Sequence, residues 1–439
     1  MANTRLSRTA GAPTLNTKYT ISVWIKRAKL TGDGFILDGY VDASNRFKFA
    51  FQSANKLEIW NSHSGSDTFA LNTNRVFQDT NGWYNIVLSV DTTQATDTNR
   101  VKLYVNGVQE TDLATNNSPA INEANNVINE SGATISIGDY YSGSNAFGGC
   151  MSHFHFVDGT AYDASNFGST DSTTGEWEIN TSPTLTYGNN GFFILKNDNV
   201  INDQSGNANN FTLSSGTLTK TEDNPSNVFA TLNTLYFASA DTTFANGNNT
   251  VNYNTDSSRS AFGTLGMTSG KYYFEVKIVS DSNNKGAYGI CDTLYNNLNA
   301  VGAFIDSSSG YGYFANGQSY NGGTGTSFGA AITTGDIVGV ALDMDNLKLY
   351  FSKNGTWQNS GDPTSGASGT GAAYTVTADR TYLPAIRVRN GTKGAFNFGN
   401  GSFEATAVAS AGSNASGVGI FEYDVPAGYA GLSTQGLNK

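Results

Sequence analysis

Apolar and polar residues alternate in short runs along this chain, and one run occurs almost twice. In NRVKLYVNGV (99–108), Val101, Leu103 and Val105 alternate with Lys102 and Tyr104; in NLKLYFSKNG (346–355), Leu347, Leu349 and Phe351 alternate with Lys348 and Tyr350. A period of two predicts a strand with one face buried and the other wet. Each strand runs into Asn-Gly (Asn106-Gly107, Asn354-Gly355), a pair that tolerates the positive φ of a tight hairpin turn. Each also follows a Gly-led apolar strand that ends at aspartate, GWYNIVLSVD (82–91) and GDIVGVALDMD (335–345). One device of strand, loop, strand and Asn-Gly hairpin is therefore written once in each half.

Similar segments recur in YTISVWIKRA (19–28), RFKFAFQ (46–52), KLEIWN (56–61) and KYYFEVKI (271–278). Strands of this length, divided by Gly- and Asn-rich turns, predict an all-β fold of two antiparallel β-sandwich (jelly-roll) domains in tandem. A chain of 439 residues is long for one hydrophobic core. The polar, turn-rich stretch 197–228 places the boundary, giving domains 1–222 and 223–439. The small-residue run ATAVASAGSNASG (405–417) reads as a long surface loop, and the aromatic GIFEYDVPAGYAGL after it as a segment tied to the fold.

Composition narrows the function. Charged residues are 14 % of the chain and the net charge is −11, with 25 basic residues scattered singly. Without a Lys/Arg stripe to neutralise phosphates, nucleic acid and anionic membranes are not expected partners. Arg5 and Arg8 are followed by no apolar run, so no secretory signal is expected, and no stretch approaches the ~18 apolar residues that span a bilayer. Synthesis and folding in a cytoplasm are expected. Cys150 and Cys291 fall in different predicted domains, each in an apolar strand, and read as thiols rather than a crosslink.

The first half resembles the laminin-G and pentraxin-like jelly rolls of the concanavalin A-like superfamily. YTISVWIKRA, GWYNIVLSVD, RVKLYVNGVQE and ISIGDYYSGSNAFGGCMSHFHFVDGTAYDASNF carry the resemblance, in order, over roughly residues 15 to 170, and GFFILKNDNVINDQSGNANNFT (191–212) resembles an edge segment of such domains. The second half resembles a SPRY domain over about 262 to 400, through SGKYYFEVKI, AYGICD, GYGYFANGQSY, GDIVGVALDMDNLKLYFSKNGTW and YLPAIRVRNGTKGAFNFG. Both families are two-sheet sandwiches, so the doubled phrase is expected to be the same hairpin in two related folds. The tandem, with DQSGNANNFT and NPSNVFATLN between, is similar to tail-fibre and other virion proteins of marine-type bacteriophages. That resemblance implies a virion surface protein made in the host cytoplasm, with other virion proteins as partners and a homo-oligomeric state. An early first strand and the lack of a shaft-like repeat also admit a capsid-decorating or head-fibre protein.

Few residue groups in the chain have the spacing of a chemical site. Glu176 and Glu178 in GEWEIN would share a strand face, as the two carboxyls of a glycan hydrolase must, but Trp177 separates them and no third acidic residue is interleaved. They read as a solvated edge, and no catalytic residue is assigned. His153 and His155 in SHFHF would share a face, yet no third ligand lies near in sequence and His63 is the one other histidine. They read as half-exposed strand residues. Asp198, Asp203, Gly206 and Asn207 in NDNVINDQSGN present oxygens that suit either calcium or Asx turns, and the turn reading is preferred. GTGTSFG (323–329) lacks the Lys and helix of a phosphate loop. No cofactor and no metal is expected. What remains is binding: Tyr140 and Tyr141 in GDYYSGSN, and Tyr311, Tyr313, Asn316 and Tyr320 in GYGYFANGQSYNGG, are read as loop residues that stack on a sugar or anchor a partner. The expectation is a non-enzymatic protein that binds bacterial surface polysaccharide or a neighbouring virion protein.

Overall fold

The computed structural model describes residues 4–196, 200–236, 241–295 and 302–438. Two compact units divide the chain, Met1–Lys220 and Thr221–Lys439, and each is a sandwich of two sheets. In the first unit one sheet runs, in spatial order, Leu113–Asn117, Ser66–Val76, Lys56–His63, Asn45–Phe51, Gly34–Asp42, Thr134–Ile137, Arg5–Thr9 and Thr212–Ser215. The facing sheet runs Phe192–Ile194, Gly149–Asp158, Lys18–Arg27, Trp83–Asp91, Val101–Val105 and Val108–Gln109. Their inner faces meet in one core that includes Ile21, Val23, Phe47, Phe49, Leu88 and Leu103. Alternation along these strands sends one set of side chains inward and the other outward.

The second unit repeats the plan. The strand Lys271–Ser280 lies between Thr392–Asn397 and Ile337–Asp343, and the sheet continues through Lys348–Lys353 to Thr356–Trp357. Against it packs a sheet of Arg259–Phe262, Tyr382–Val388, Ala287–Asp292, Gly310–Phe314, Gln318–Asn321 and Thr324–Ser327. Among the described residues the named strands pair antiparallel, except that Tyr272 and Tyr273 pair in parallel with Ala430 and Gly431. This ties the aromatic segment near the chain end to the sheet. The stretch 405–417 is largely exposed and is held by Gly412 N donating to Phe421 O (2.9 Å) and Ser413 N donating to the Asp424 carboxylate (2.6 Å).

Both copies of the doubled phrase close as tight hairpins, pairing Val105 with Val108 and Lys353 with Thr356. The turn residues have positive φ in both: 48° and 78° at Asn106 and Gly107, 48° and 77° at Asn354 and Gly355. The likeness extends to the asparagine side chains. Asn106 Oδ1 accepts from Asn85 N (2.8 Å), and Asn354 Oδ1 accepts from Ile337 N (2.8 Å). Each asparagine thereby clips its turn to the strand before it. Each glycine also lies under an aromatic ring: a Cβ on Gly107 would stand 2.3 Å from Trp177, and one on Gly355 2.6 Å from Tyr423.

Positive φ and the ring contact both oppose a side chain there. Gly107→Ala and Gly355→Ala are each expected to cost about 2 kcal/mol. Denaturant unfolding should show each loss in the transition of its own unit. An unchanged midpoint for either would mean that the ring swings aside freely.

Candidate functional site

Among the described residues, three of the four outward sheet faces are roofed by apolar clusters. In the first unit Val87 and Tyr104 lie beneath Ala164, Phe167 and Trp177. In the second, Tyr273, Ala341 and Tyr350 lie beneath Phe421, Val425 and Tyr429, and Ala287, Cys291 and Phe314 beneath Tyr295, Phe304 and Ile305. The fourth face, on the eight-stranded sheet of the first unit, carries a mixed aromatic and charged surface instead. Tyr40, Arg46, Lys48, Glu58, Trp60 and Ala70 stand half-buried on it. Register places Tyr40 opposite Arg46, Lys48 opposite Trp60, and Trp60 opposite Ala70.

One loop crosses part of this face. After the strand Thr134–Ile137 the chain turns at Gly138 and folds over Asp38, whose Oδ2 accepts from Tyr141 N (3.1 Å). The loop is braced from within, since Asp139 Oδ1 accepts from Tyr140 N and Asn145 N, both at 2.8 Å. Arg5 donates to the carbonyls of Tyr140 (3.3 Å) and Tyr141. These bonds bring the loop tyrosines onto the sheet. The Tyr141 ring stacks on Tyr40 with centroids 3.6 Å apart and planes 13° off parallel, and Tyr140 meets Tyr141 edge-on at 4.5 Å. The Arg46 guanidinium lies 4.7 Å from the Tyr140 ring centroid and 5.5 Å from that of Trp60, a cation held between π faces.

The polar groups under this aromatic layer are only partly satisfied. Arg46 Nη2 stands 4.0 Å from Asp38 Oδ1, an ion pair without a hydrogen bond. Asp38 Oδ1, Arg46 Nε, Ser136 Oγ and Asp139 Oδ2 are buried with no hydrogen-bond partner. Burial pushes the Asp38 carboxyl up to about 7, against the pull of Tyr141 N–H and Arg46, and pushes the Tyr140 phenol up to about 12.

Of the residues chosen from sequence, Tyr140 and Tyr141 meet in this cluster. Tyr40, Arg46, Trp60 and Asp38 join them without having stood out in the sequence. Their signal lies in the outward positions of DGYVDASNRFKF (38–49) and KLEIW (56–60), which alternation marks only as wet. The second group is placed differently. Tyr311 and Tyr313 belong to the strand Gly310–Phe314 rather than a loop, and both point into the second core. Tyr313 is fully buried, and its hydroxyl donates to Ala330 O. The reason is visible in GYGYF: the glycines take the outward phase, where a Cβ on Gly312 would lie 2.6 Å from Ile305, so the tyrosines face inward. Tyr320, in the strand Gln318–Asn321, packs on Phe314 with centroids 5.0 Å apart. Exposed Asn316 forms a local turn with Gln318, accepting from its N–H at 3.0 Å.

His153 and His155 are buried, not half-exposed. A register shift between Ser152 and His155 puts His153 at φ 47°, and His155 stacks on Phe193 at 3.9 Å and bonds Tyr187 Oη at 2.8 Å. Burial holds His153 down at about 4 and His155 well below the usual imidazole range. Glu176 and Glu178 are exposed beside Trp177, whose indole N–H donates to Asn85 Oδ1 (3.1 Å). Asp203 spends both oxygens on turn donors: Phe193 N and Ser205 N reach Oδ1, and Asn209 N and Ser205 Oγ reach Oδ2, at 2.8 to 2.9 Å. Asp198 lies outside the described residues. Among those described, no group of three or more His, Cys, Asp or Glu is placed to hold a metal ion.

Residues 3–165 match the concanavalin A-like lectin/glucanases superfamily, in its laminin-G form, and residues 271–401 match the SPRY domain. The chain joins a concanavalin A-like domain to a SPRY domain. Part of it is 37 % identical over 88 residues to Ran-binding protein 9 of Danio rerio, covering 20 % of this chain and 14 % of that protein. A stretch of 87 residues is 33 % identical to the dual specificity protein kinase splA of Dictyostelium discoideum, covering 19 % of this chain and 3 % of the kinase. The chain thus spans a small part of the length of these curated relatives. Among solved structures it is similar to the SPRY domain of human HERC1 (18 % identity, 35 % of this chain and 91 % of that one, TM-score 0.28). It is also similar to a pentraxin of Limulus polyphemus (14 % identity, 41 % and 86 %, TM-score 0.29).

Proposed function

We propose that this is a non-enzymatic binding protein of the bacteriophage virion surface, of tail-fibre or appendage type, that attaches to a host-surface glycan through its concanavalin A-like domain. The observation that carries the reading is the sheet face that, among the described residues, no apolar cluster covers, where Tyr40, Tyr140, Tyr141 and Trp60 surround Arg46. Aromatic rings with an adjacent planar donor are what a sugar needs, since its C–H faces stack and its hydroxyls bond. The absence of catalysis is argued from Glu176 and Glu178, which flank a tryptophan that roofs a sheet rather than lining a cleft. The virion placement rests on the resemblance of the tandem arrangement to phage structural proteins, and other virion proteins are the remaining partners of the chain. The SPRY domain serves in this reading as the unit that joins the particle.

Binding to an array of bacterial surface polysaccharides tests this directly. Wild-type protein should be retained, and Tyr141→Ala should weaken retention at least tenfold by removing the partner stacked on Tyr40. Equal retention of the variant, or of a chain with Tyr320→Ala as the more damaging change, would sink the assignment of this face.

A further inference from the structure

Residues 409–424 of the second unit are bonded among themselves into one lobe. Gly412 N donates to Phe421 O (2.9 Å), Ser413 N to Asp424 Oδ1 (2.6 Å), Ala409 N to Glu422 Oε2 (2.7 Å) and Val425 N back to Ser413 O (2.9 Å). A surface loop whose ends meet and whose bonds are its own can leave a sheet without unravelling. One side of the lobe is rooted, since Ile420 N donates to Gly399 O and Ile420 O accepts from Asn397 Nδ2, both at 2.9 Å. Beyond that root the backbone hangs on one side chain. The Glu275 carboxyl accepts from Glu422 N and Tyr423 N, both at 2.9 Å, and so holds Phe421 edge-on to Tyr273 (5.1 Å) and the Tyr423 ring over Gly355.

This carboxyl has no counter-ion. In register it lies between Gly339 and Asn397. On its own strand Lys277 sits over the Phe403 ring and Lys271 pairs with Asp343. On the neighbouring strands Lys393 pairs with Glu404 and Lys353 with Asp336. The lobe brings the Tyr423 phenol and two further carboxylates, Glu422 and Asp424, which accept from the lobe amides of Ala409 and Ser413. Among the described residues no cation pairs with Glu275, and burial pushes it up to about 7. Once the lobe lifts, water reaches the group and the proton is held no more tightly than in an unfolded chain. Lifting therefore grows easier as pH rises from the ordinary carboxyl range towards 7.

We propose that residues 409–424 are a pH-gated strap: ionisation of Glu275 releases the lobe about its root at Ile420 and uncovers Tyr273 and Trp357, while the two sheets of the second unit stay paired. The strap clasps the sheet in acid and loosens near neutrality. This inference is independent of the glycan reading, which concerns the other domain.

Hydrogen exchange of the full chain at pH 5 and pH 8, with each rate divided by its intrinsic value, tests it. Wild type is compared with Glu275→Gln and with Phe421→Ala, which weakens the grip of the strap and leaves the carboxyl in place. In wild type the amides of 421–424 are expected to be less protected than those of Ile337–Asp343 at both pH values, and to lose about tenfold or more of their protection from pH 5 to pH 8. Glu275→Gln should abolish that loss, whereas Phe421→Ala should lower protection at both pH values and keep it. Equal protection of strap and strand in wild type would mean that the strap opens only with the whole unit, and overturns the proposal. So does strap protection that is the same at pH 5 and pH 8, or a loss that persists in Glu275→Gln. Should the glutamine variant fail to fold, wild type and Phe421→Ala still separate these outcomes.

Discussion

Asp158→Ala is expected to destabilise the first unit by about 4 kcal/mol, because the carboxylate accepts four hydrogen bonds in a buried setting. Its Oδ2 takes Thr14 N (2.6 Å) and Asn190 N (3.1 Å), and its Oδ1 takes Leu15 N (3.2 Å) and Asn129 Nδ2 (2.8 Å). The side chain is 1 % exposed, so water reaches the orphaned donors only after local opening. The network also extends past its centre. Asn190 bridges to Asn129 and to both backbone groups of Gly11, so one truncation loosens the segments that precede the strands Lys18–Arg27 and Phe192–Ile194. For a unit of this size the melting temperature of its transition should fall by about 10 °C. Asp158→Asn, which keeps two acceptor lone pairs but turns an acceptor into a donor facing N–H groups, should recover less than half of the loss. A fall of under 3 °C for the alanine variant would mean that the four donors find other acceptors and that the carboxylate is not the hub.

Asp158 shows where sequence stops informing. The strands were legible because alternation is a local property: Val101, Leu103 and Val105 declare their phase within five residues, and Asn106-Gly107 declares the turn. Even the relation between the two halves was legible, since the same phrase encodes the same hairpin. Polar hubs are not local. Asp158 draws donors from residues 14, 15, 129 and 190, and nothing in HFHFVDGT distinguishes it from the other strand-ending aspartates. The aromatic loops failed for a related reason. In GYGYF a loop reading and a strand reading differ in whether Gly310 and Gly312 lie under a neighbour, and that neighbour, Phe304–Ile305, sits in a segment whose position only the fold sets. The face around Arg46 was half legible. Tyr140-Tyr141 announced itself by composition, whereas Tyr40 and Trp60 looked like ordinary wet positions until the register put them beside that loop.

Glu275→Gln is expected to abolish a fall in the stability of the second unit between about pH 4.5 and pH 7. Glu275 is fully buried in the strand Lys271–Ser280. Its oxygens accept from Glu422 N and Tyr423 N (both 2.9 Å), Asn397 Nδ2 (3.1 Å) and the Tyr273 hydroxyl (3.1 Å). All four donors favour the carboxylate, but burial outweighs them and pushes the group up to about 7. A raised carboxyl means that the folded state binds the proton more tightly than the unfolded chain. The stabilisation is therefore complete below the ordinary carboxyl range, declines as pH rises towards 7, and is absent above it. The difference of roughly two to three pKa units corresponds to about 3 kcal/mol across that window. Denaturant unfolding at pH 4.5 and pH 8 measures it, and the second-unit difference should be smaller in the glutamine variant by that amount. Stability that instead rises with pH through this window would show that the four donors prevail over desolvation. Glu275→Ala separates charge from anchoring: it strands the amides of Glu422 and Tyr423 and frees the segment that carries Phe421 and Tyr423 over the sheet, so it should lie about 4 kcal/mol below the glutamine variant at both pH values, since neither carries the titrating group. Loss of that roof would expose Tyr273 and Tyr350 and uncover Gly355, joining the fate of the buried carboxylate to that of the hairpin.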